Sequence, residues 1–223
     1  MLQAEPSYFS ELYSAYAAGR LSPAYALMVE TQAAMRDDVR RDIDVAEAIA
    51  GVMFEQEDID PMTPTAFEAA LRAIDEHEET EERSVEAAEA AGSALDELLG
   101  LPEPLRERAL EACGDQGWQR MTAGVSRIDL NGQGRTHAHL YRIQPGASVP
   151  THSHRGDELT LVLRGGFSDE FGTYGPGQIC RQTPDYTHKP VADDDGVCIC
   201  LAVSEGGMKF KGVLGLLQRL TGK

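Results

Sequence analysis

The chain has 223 residues, room for one large domain or two small ones and for a core that needs no disulfide staples. It carries 37 Asp+Glu against 20 Lys+Arg, a net charge of −17. That excludes direct nucleic-acid binding through a cationic stripe and leaves a basic protein partner open. No apolar run reaches the roughly 18 residues of a membrane span. The first residues, MLQAEPSYFSEL, carry neither the basic region nor the apolar stretch of a signal peptide. Four cysteines, Cys113, Cys180, Cys198 and Cys200, make no disulfide framework. The expected location is the reducing cytoplasm, with no direct nucleic-acid or membrane contact.

The charge divides the chain. Met1 to Cys113 holds 26 acidic and 8 basic residues, a balance of −18, whereas Gly114 to Lys223 holds 11 and 12, a balance of +1. The first half is rich in Ala, Glu, Leu and Met, which favour helices. The second half shows short apolar runs broken by Gly, Pro and Asp, which read as strands and turns. These patterns predict an α+β multidomain chain. An all-α helical bundle spans 1–85, an acidic segment that is part helix and part linker spans 86–105, and an all-β barrel spans 106–223.

Four helices are predicted in the first half. The first runs from Ser7 to Ala18 and stops at Gly19. The second starts with Ser22 as N-cap and Pro23 at the first helical position. The third carries Val39, Ile43, Ala46, Ala50 and Met53 as one apolar stripe. The fourth begins near Thr63-Pro64 and aligns Phe67, Ala70, Leu71 and Ile74 on one face. Such stripes bury against each other or against a partner. His77 is the one histidine of this half and sits among glutamates, where a surface role is expected. With no cysteine before Cys113, a zinc site is not expected in this half.

In the second half, His152 and His154 are two apart, which on a strand puts both imidazoles on one face. Arg155-Gly156-Asp157 supplies a turn, and Glu158 opens the apolar strand Leu159 to Leu163. His188 follows on a later strand, after Pro184-Asp185-Tyr186-Thr187. Three imidazoles and one carboxylate suit a divalent transition ion, with zinc, iron, manganese, nickel and copper all compatible. A lone histidine is ordinarily a surface or satisfied core residue. Here Gly146, His152, His154, Glu158 and Gly165 match G-x5-H-x-H-x3-E-x6-G at every fixed position, the first signature of the cupin superfamily, a jelly-roll barrel. The second signature departs from its usual form. Six residues separate Gly177 from Pro184, three separate Pro184 from His188, and no Asn follows. His188 remains the expected fourth ligand. His137 with His139, and Cys198 with Cys200, also share strand faces. They read as strand residues, the cysteines as small buried hydrophobes. Trp118 opens the first strand as a core anchor, and Val213 to Leu220 reads as a short closing helix.

The chain as a whole resembles the ChrR family of two-domain anti-sigma factors. In the first half the resemblance rests on Ala15-Tyr-Ala-Ala-Gly19, the helix at Ser22 and Ile49-Ala-Gly-Val-Met-Phe54. In the second it rests on His152 to Leu163 and Cys198-Ile-Cys-Leu-Ala202. It implies a helical domain that holds an extracytoplasmic-function (ECF) sigma factor. Behind that domain it implies a metal-binding cupin that answers oxidative stress, with zinc foremost and iron, manganese or nickel as alternatives at His152, His154, Glu158 and His188. The family's N-terminal zinc ligands are missing: the matching positions hold Pro6, Thr31, Met35 and Asp38. The helical unit is therefore expected to fold without that ion, Met35 filling space. Two other readings stand beside this one: a cupin enzyme of dioxygenase, isomerase or hydrolase type, and a small-molecule sensor with another partner. The enzyme would use Arg142, Arg181, Tyr174 or Tyr186 inside the barrel. A homo-oligomer is left open.

Overall fold

The computed structural model describes residues 6–58, 63, 65–73, 95–114, 117–130 and 135–210. His77, residues 86–94 of the acidic segment and the helix expected over 213–220 lie outside the described residues. The helices are α1 (Pro6–Ala17), α2 (Pro23–Met35), α3 (Asp37–Phe54), α4 (residues 66–73), α5 (Leu95–Leu99) and α6 (Glu103–Cys113). Helix α1 ends as expected. Gly19 takes φ +64°, and the Arg20 N–H reaches back to the Ala15 carbonyl at 2.9 Å, closing the last turn. Ser22 departs from expectation. Its backbone is extended and its carbonyl accepts the first helical bond, but its hydroxyl makes no cap bond, so Pro23 alone presets the start.

The strands are β1 (Gln119–Thr122), β2 (Val125–Asp129), β3 (Thr136–Ile143), β4 (His152–His154), β5 (Glu158–Arg164), β6 (Phe167–Ser168), β7 (Thr173–Tyr174), β8 (Ile179–Gln182), β9 (Val191–Ala192), β10 (Cys198–Glu205) and β11 (Met208–Phe210). All pairings among them are antiparallel. One six-stranded sheet runs β1-β2-β3-β10-β5-β8. Opposite it stand β11-β4 and β7-β6-β9, joined by bridges at Ser148–Val191 and His152–His188.

The centre of the large sheet, β10 and β5, is dry on both sides. Side chains alternate along a strand, so these central strands feed two cores. Val162, Cys198, Cys200 and Ala202 face the barrel interior with Tyr141 and Phe167. Leu159, Leu161, Ile199, Leu201 and Val203 face outward, into a core shared with Met28, Val29, Leu98, Leu105 and Leu110 of the helices. This is why Val197 to Val203 is apolar throughout rather than alternating. Trp118 packs half-buried against the helix-side core, one residue ahead of β1.

The third helix does not bury its whole stripe. Val39 and Ile43 are buried, but Met53 is 66% exposed. Helix α3 extends past the layer that covers its first half, so the periodic row runs out into solvent. On α4, Phe67 and Leu71 are also exposed.

Helix α2 is tied to the barrel by polar contacts. The buried Gln32 side chain accepts a hydrogen bond from the Tyr13 hydroxyl at 3.0 Å. Its Nε2 donates to the Gly177 carbonyl at 3.1 Å. Gly177 takes φ +79°, which favours glycine, and a Cβ there would also crowd the Arg36 side chain at 3.0 Å. The positions matching the family's zinc ligands are otherwise engaged. The Thr31 hydroxyl donates to the Leu27 carbonyl at 2.6 Å, Met35 packs against the core and Asp38 pairs with Arg36. Replacing Gln32 by Leu leaves the Tyr13 hydroxyl and the Gly177 carbonyl buried without this partner. Chemical denaturation of Gln32→Leu is expected to show a loss of about 1–3 kcal/mol.

Candidate metal centre

His152, His154, Glu158 and His188 come together in the barrel, all buried, with one ligand-type atom from each lying within 4.8 Å of the others. Strand β4 turns both of its imidazoles inward. The turn after it is held by the Arg155 N–H on the Gly207 carbonyl at 3.1 Å and the Glu205 N–H on the Asp157 carbonyl at 3.1 Å. A Cβ on Gly156 would lie 2.8 Å from the Glu205 carbonyl oxygen, so the turn closes only around glycine. It delivers Glu158 to the first position of β5, opposite Gln182. His188 arrives differently from the sequence expectation. It belongs to no extended strand but to a single bridge with His152, whose two reciprocal N–H···O bonds are 3.1 and 3.0 Å. That bridge places the two rings side by side, with centroids 4.5 Å apart.

Hydrogen bonds around the cluster fix the tautomers of two of its rings. The His152 Nδ1 lies 2.8 Å from the Pro150 carbonyl, which can only accept, so this nitrogen carries the hydrogen. The His188 Nδ1 lies 2.9 Å from Oδ2 of Asp169 and donates to it. Both rings thus aim an Nε2 lone pair inward. The His188 Nε2 is 3.1 Å from that of His152 and 3.2 Å from that of His154. The inward lone pairs of His152 and His188 repel at this separation unless a cation lies between them. Nitrogens bound tetrahedrally to one zinc ion at 2.0–2.1 Å stand about 3.3 Å apart, close to this spacing. The His154 Nδ1 is buried without a hydrogen bond and lies 3.4 Å from Oε2 of Glu158. The donor set and its geometry therefore fit a divalent transition ion.

Burial controls the charges. It pushes the Glu158 carboxyl up to about 8, against a single opposing hydrogen bond from Thr160. It also pushes His152 down to about 4 and His154 down to about 3, with the neighbouring imidazoles adding to the effect. At neutral pH all three are held uncharged, the state in which imidazoles serve as ligands. Beside them is a cavity of about 30 Å³, lined by Tyr141, Val149, Thr160, Phe167 and Cys200 and closed on its polar side by His152, Glu158 and His188. It holds two or so water-sized groups.

The four polar candidates of the enzyme reading are corrected, whereas the second histidine pair and the cysteine pair lie as expected. Arg142, Arg181, Tyr174 and Tyr186 do not line this cavity. Arg142 binds Glu97 of α5 at 2.6 and 2.9 Å, and Arg181 spans Asp157 and the Tyr8 ring of α1. Tyr186 meets Phe171 edge to face near the surface, and Tyr174 packs on Phe167. Long polar side chains here tie elements together rather than reach inward. His137 and His139 stack on the sheet at 6.3 Å, away from the cluster, and burial pushes His139 down to about 4. Cys198 and Cys200 are buried, and the mutual contact and burial push the Cys200 thiol well up, away from a reactive thiolate.

Sequence reasoning missed Asp169. It lies between β6 and β7 with its side chain fully buried. Its Oδ1 accepts the N–H groups of Phe171 at 2.9 Å and Gly172 at 3.1 Å. Its Oδ2 accepts from Gln182 at 3.1 Å as well as from His188. The available signal was Ser168-Asp-Glu-Phe-Gly172, an Asp followed by a tight turn.

The shifts set a pH dependence for the metal-free protein. Glu158 ionises near 4.5 when unfolded but near 8 when folded, so its contribution to stability is full at low pH and falls as pH rises between these values. His152 and His154 act oppositely, losing stability as pH falls below 6.5 toward 4 and 3. Together the three give a maximum near pH 6.5. Melts of chelated protein should show stability falling above that pH by up to about 1.4 kcal/mol per pH unit, and Glu158→Gln should remove the fall.

Comparison with known proteins agrees with this geometry. The family model of the ChrR cupin-like domain matches residues 106–206. The anti-sigma-E factor ChrR of Cereibacter sphaeroides is 32% identical over 203 residues, 91% of each chain. The crystal structure of Rhodobacter sphaeroides SigE in complex with the anti-sigma ChrR superposes with a TM-score of 0.63 at 32% identity, covering 88% of this chain and 96% of that one. Helices ahead of a cupin barrel, the buried His3Glu cluster and a match running nearly end to end lead to one conclusion: the chain belongs to the ChrR family of anti-sigma factors.

Proposed function

We propose that the protein is an anti-sigma factor that holds an ECF sigma factor through its helical unit, residues 1–85, and senses an oxidative stress signal through its barrel. The observation that carries the reading is the unburied apolar row on α3. Val45, Ile49, Val52, Met53 and Phe54 are 58–80% exposed, and Phe67 of α4 is 62% exposed. A row of this size on a folded chain is characteristic of a protein interface. It lies on a half-chain with a balance of −18, and Asp42, Asp44 and Glu47 stand exposed beside it. A sigma factor presents basic residues for promoter DNA and apolar surface for polymerase. The acidic surroundings speed encounter with such a partner, and the apolar row supplies the affinity.

His152, His154, Glu158 and His188 would hold one ion, with zinc foremost and iron, manganese or nickel as alternatives. When bound, the ion would supply a Lewis-acid position beside the small cavity. The chain's own part is to exclude water, to keep His152 and His154 neutral and to aim the three imidazoles. The protein acts in the cytoplasm, where the sigma factor is found.

Two measurements test this. Ile49→Asp with Phe54→Asp should weaken binding of a purified ECF sigma factor by about 100-fold or more, as central anchors do. The melting temperature should hardly move, because both side chains are exposed; unchanged affinity would refute the interface. Metal analysis should find about one transition ion per chain, absent from the His152→Ala, His154→Ala double variant.

A further inference from the structure

We propose that Asp169 is the positioning residue that makes His188 a metal ligand, by holding the proton of that ring on Nδ1. The inference rests on the metal-binding reading of the cluster and concerns a residue outside it. Three observations support it. The Asp169 side chain is fully buried and its Oδ2 lies 2.9 Å from the His188 Nδ1. Its orientation is fixed from behind, because Oδ1 accepts the backbone N–H groups of Phe171 and Gly172. The opposite ring nitrogen of His188 points at the Nε2 atoms of His152 and His154. A fixed acceptor on one side of an imidazole leaves the other nitrogen bare, and a bare nitrogen is what a metal requires.

The backbone donors make a carboxylate necessary where shape alone would accept an amide. In Asp169→Asn one end of the side chain must face Phe171 N–H and Gly172 N–H, and only oxygen can. The amide NH2 then faces His188 Nδ1. Gln182, whose Nε2 now donates to Oδ2, can turn its own amide to accept, and the Cys180 thiol at 3.9 Å can accept as readily as donate. His188 has one way to comply: Nδ1 becomes the acceptor and the proton moves to Nε2. One of the four ligand atoms is thereby capped by hydrogen, although no ligand residue has changed. Asp169→Ala differs in kind. It leaves a space in which water can accept the Nδ1 hydrogen, so the inward lone pair survives. The isosteric variant is therefore expected to be the more damaging of the two, the reverse of what a packing role would give.

The experiment uses the full chain. Long-range proton–nitrogen NMR of metal-free protein reads the His188 tautomer, and competition with a chromophoric chelator reads Zn2+ affinity. The expected result is Nδ1–H in the wild type and Nε2–H in Asp169→Asn. Zn2+ affinity should be about 10–100-fold weaker in Asp169→Asn, with a smaller loss in Asp169→Ala. A wild type protonated on Nε2 overturns the proposal, and does so even if Asp169→Asn fails to fold. Asp169→Asn that binds Zn2+ within about twofold of the wild type overturns it as well, leaving the four ligands intact. A wild type that takes up neither Zn2+ nor another divalent transition ion overturns the four-ligand reading itself, and this one with it.

Discussion

Along β10, Ile199, Leu201 and Val203 pack toward the helices while Cys198, Cys200 and Ala202 pack into the barrel. Neither face of the central strand meets water, and the arrangement of the molecule follows from that. A jelly roll standing alone would show a polar outer face. Here that face is apolar and must be covered, and α2, α5 and α6 cover it. The helical unit is thus part of what keeps the barrel's sheet dry, and Gln32 adds a buried polar tie between the two. The helices left over, the far half of α3 and α4, carry their apolar rows outward.

Much of this was legible in the sequence because it is written in local spacing. His152, His154 and Glu158 lie within seven residues of chain, and strand periodicity alone places both imidazoles on one face. The unbroken apolar run from Val197 to Val203 announces a strand buried on both sides. What the sequence hides depends on contacts between distant segments. His188 sits in a non-standard second motif, and its place is set by a backbone bridge to His152 that no spacing rule encodes. Asp169 is a lone acid in a turn, and its meaning comes only from the ring it meets 19 residues later. The arginines failed as cavity residues for the same reason. Arg142 and Arg181 find carboxylates and a tyrosine on other elements, which composition cannot foretell.

The third helix shows the limit from the other side. Its periodicity is correct, yet periodicity says only that a face exists and not what covers it. Val39 and Ile43 are buried, while Val45, Ile49 and Val52 stand exposed. Helical geometry places Val45, Ile49 and Val52 on a different face from Val39 and Ile43, and it is that second face which stays uncovered. Thr31, Met35 and Asp38 show a related dependence on packing. Near those positions a tyrosine, a glutamine and a backbone carbonyl, buried together, tie helices α1 and α2 to the barrel.

The two-sided sheet also guards its own alignment. Along β5, Glu158, Thr160 and Val162 look into the barrel, whereas Leu159 and Leu161 look at the helices. A slip of one residue during folding would exchange the sets. It would drive an acid into an oily helix seam and a leucine among three imidazoles. Each error would be penalised twice, once on either side of the strand. A mispaired chain therefore has no half-correct state in which to rest, and the alternation that makes the sequence hard to read makes its misreading hard to survive.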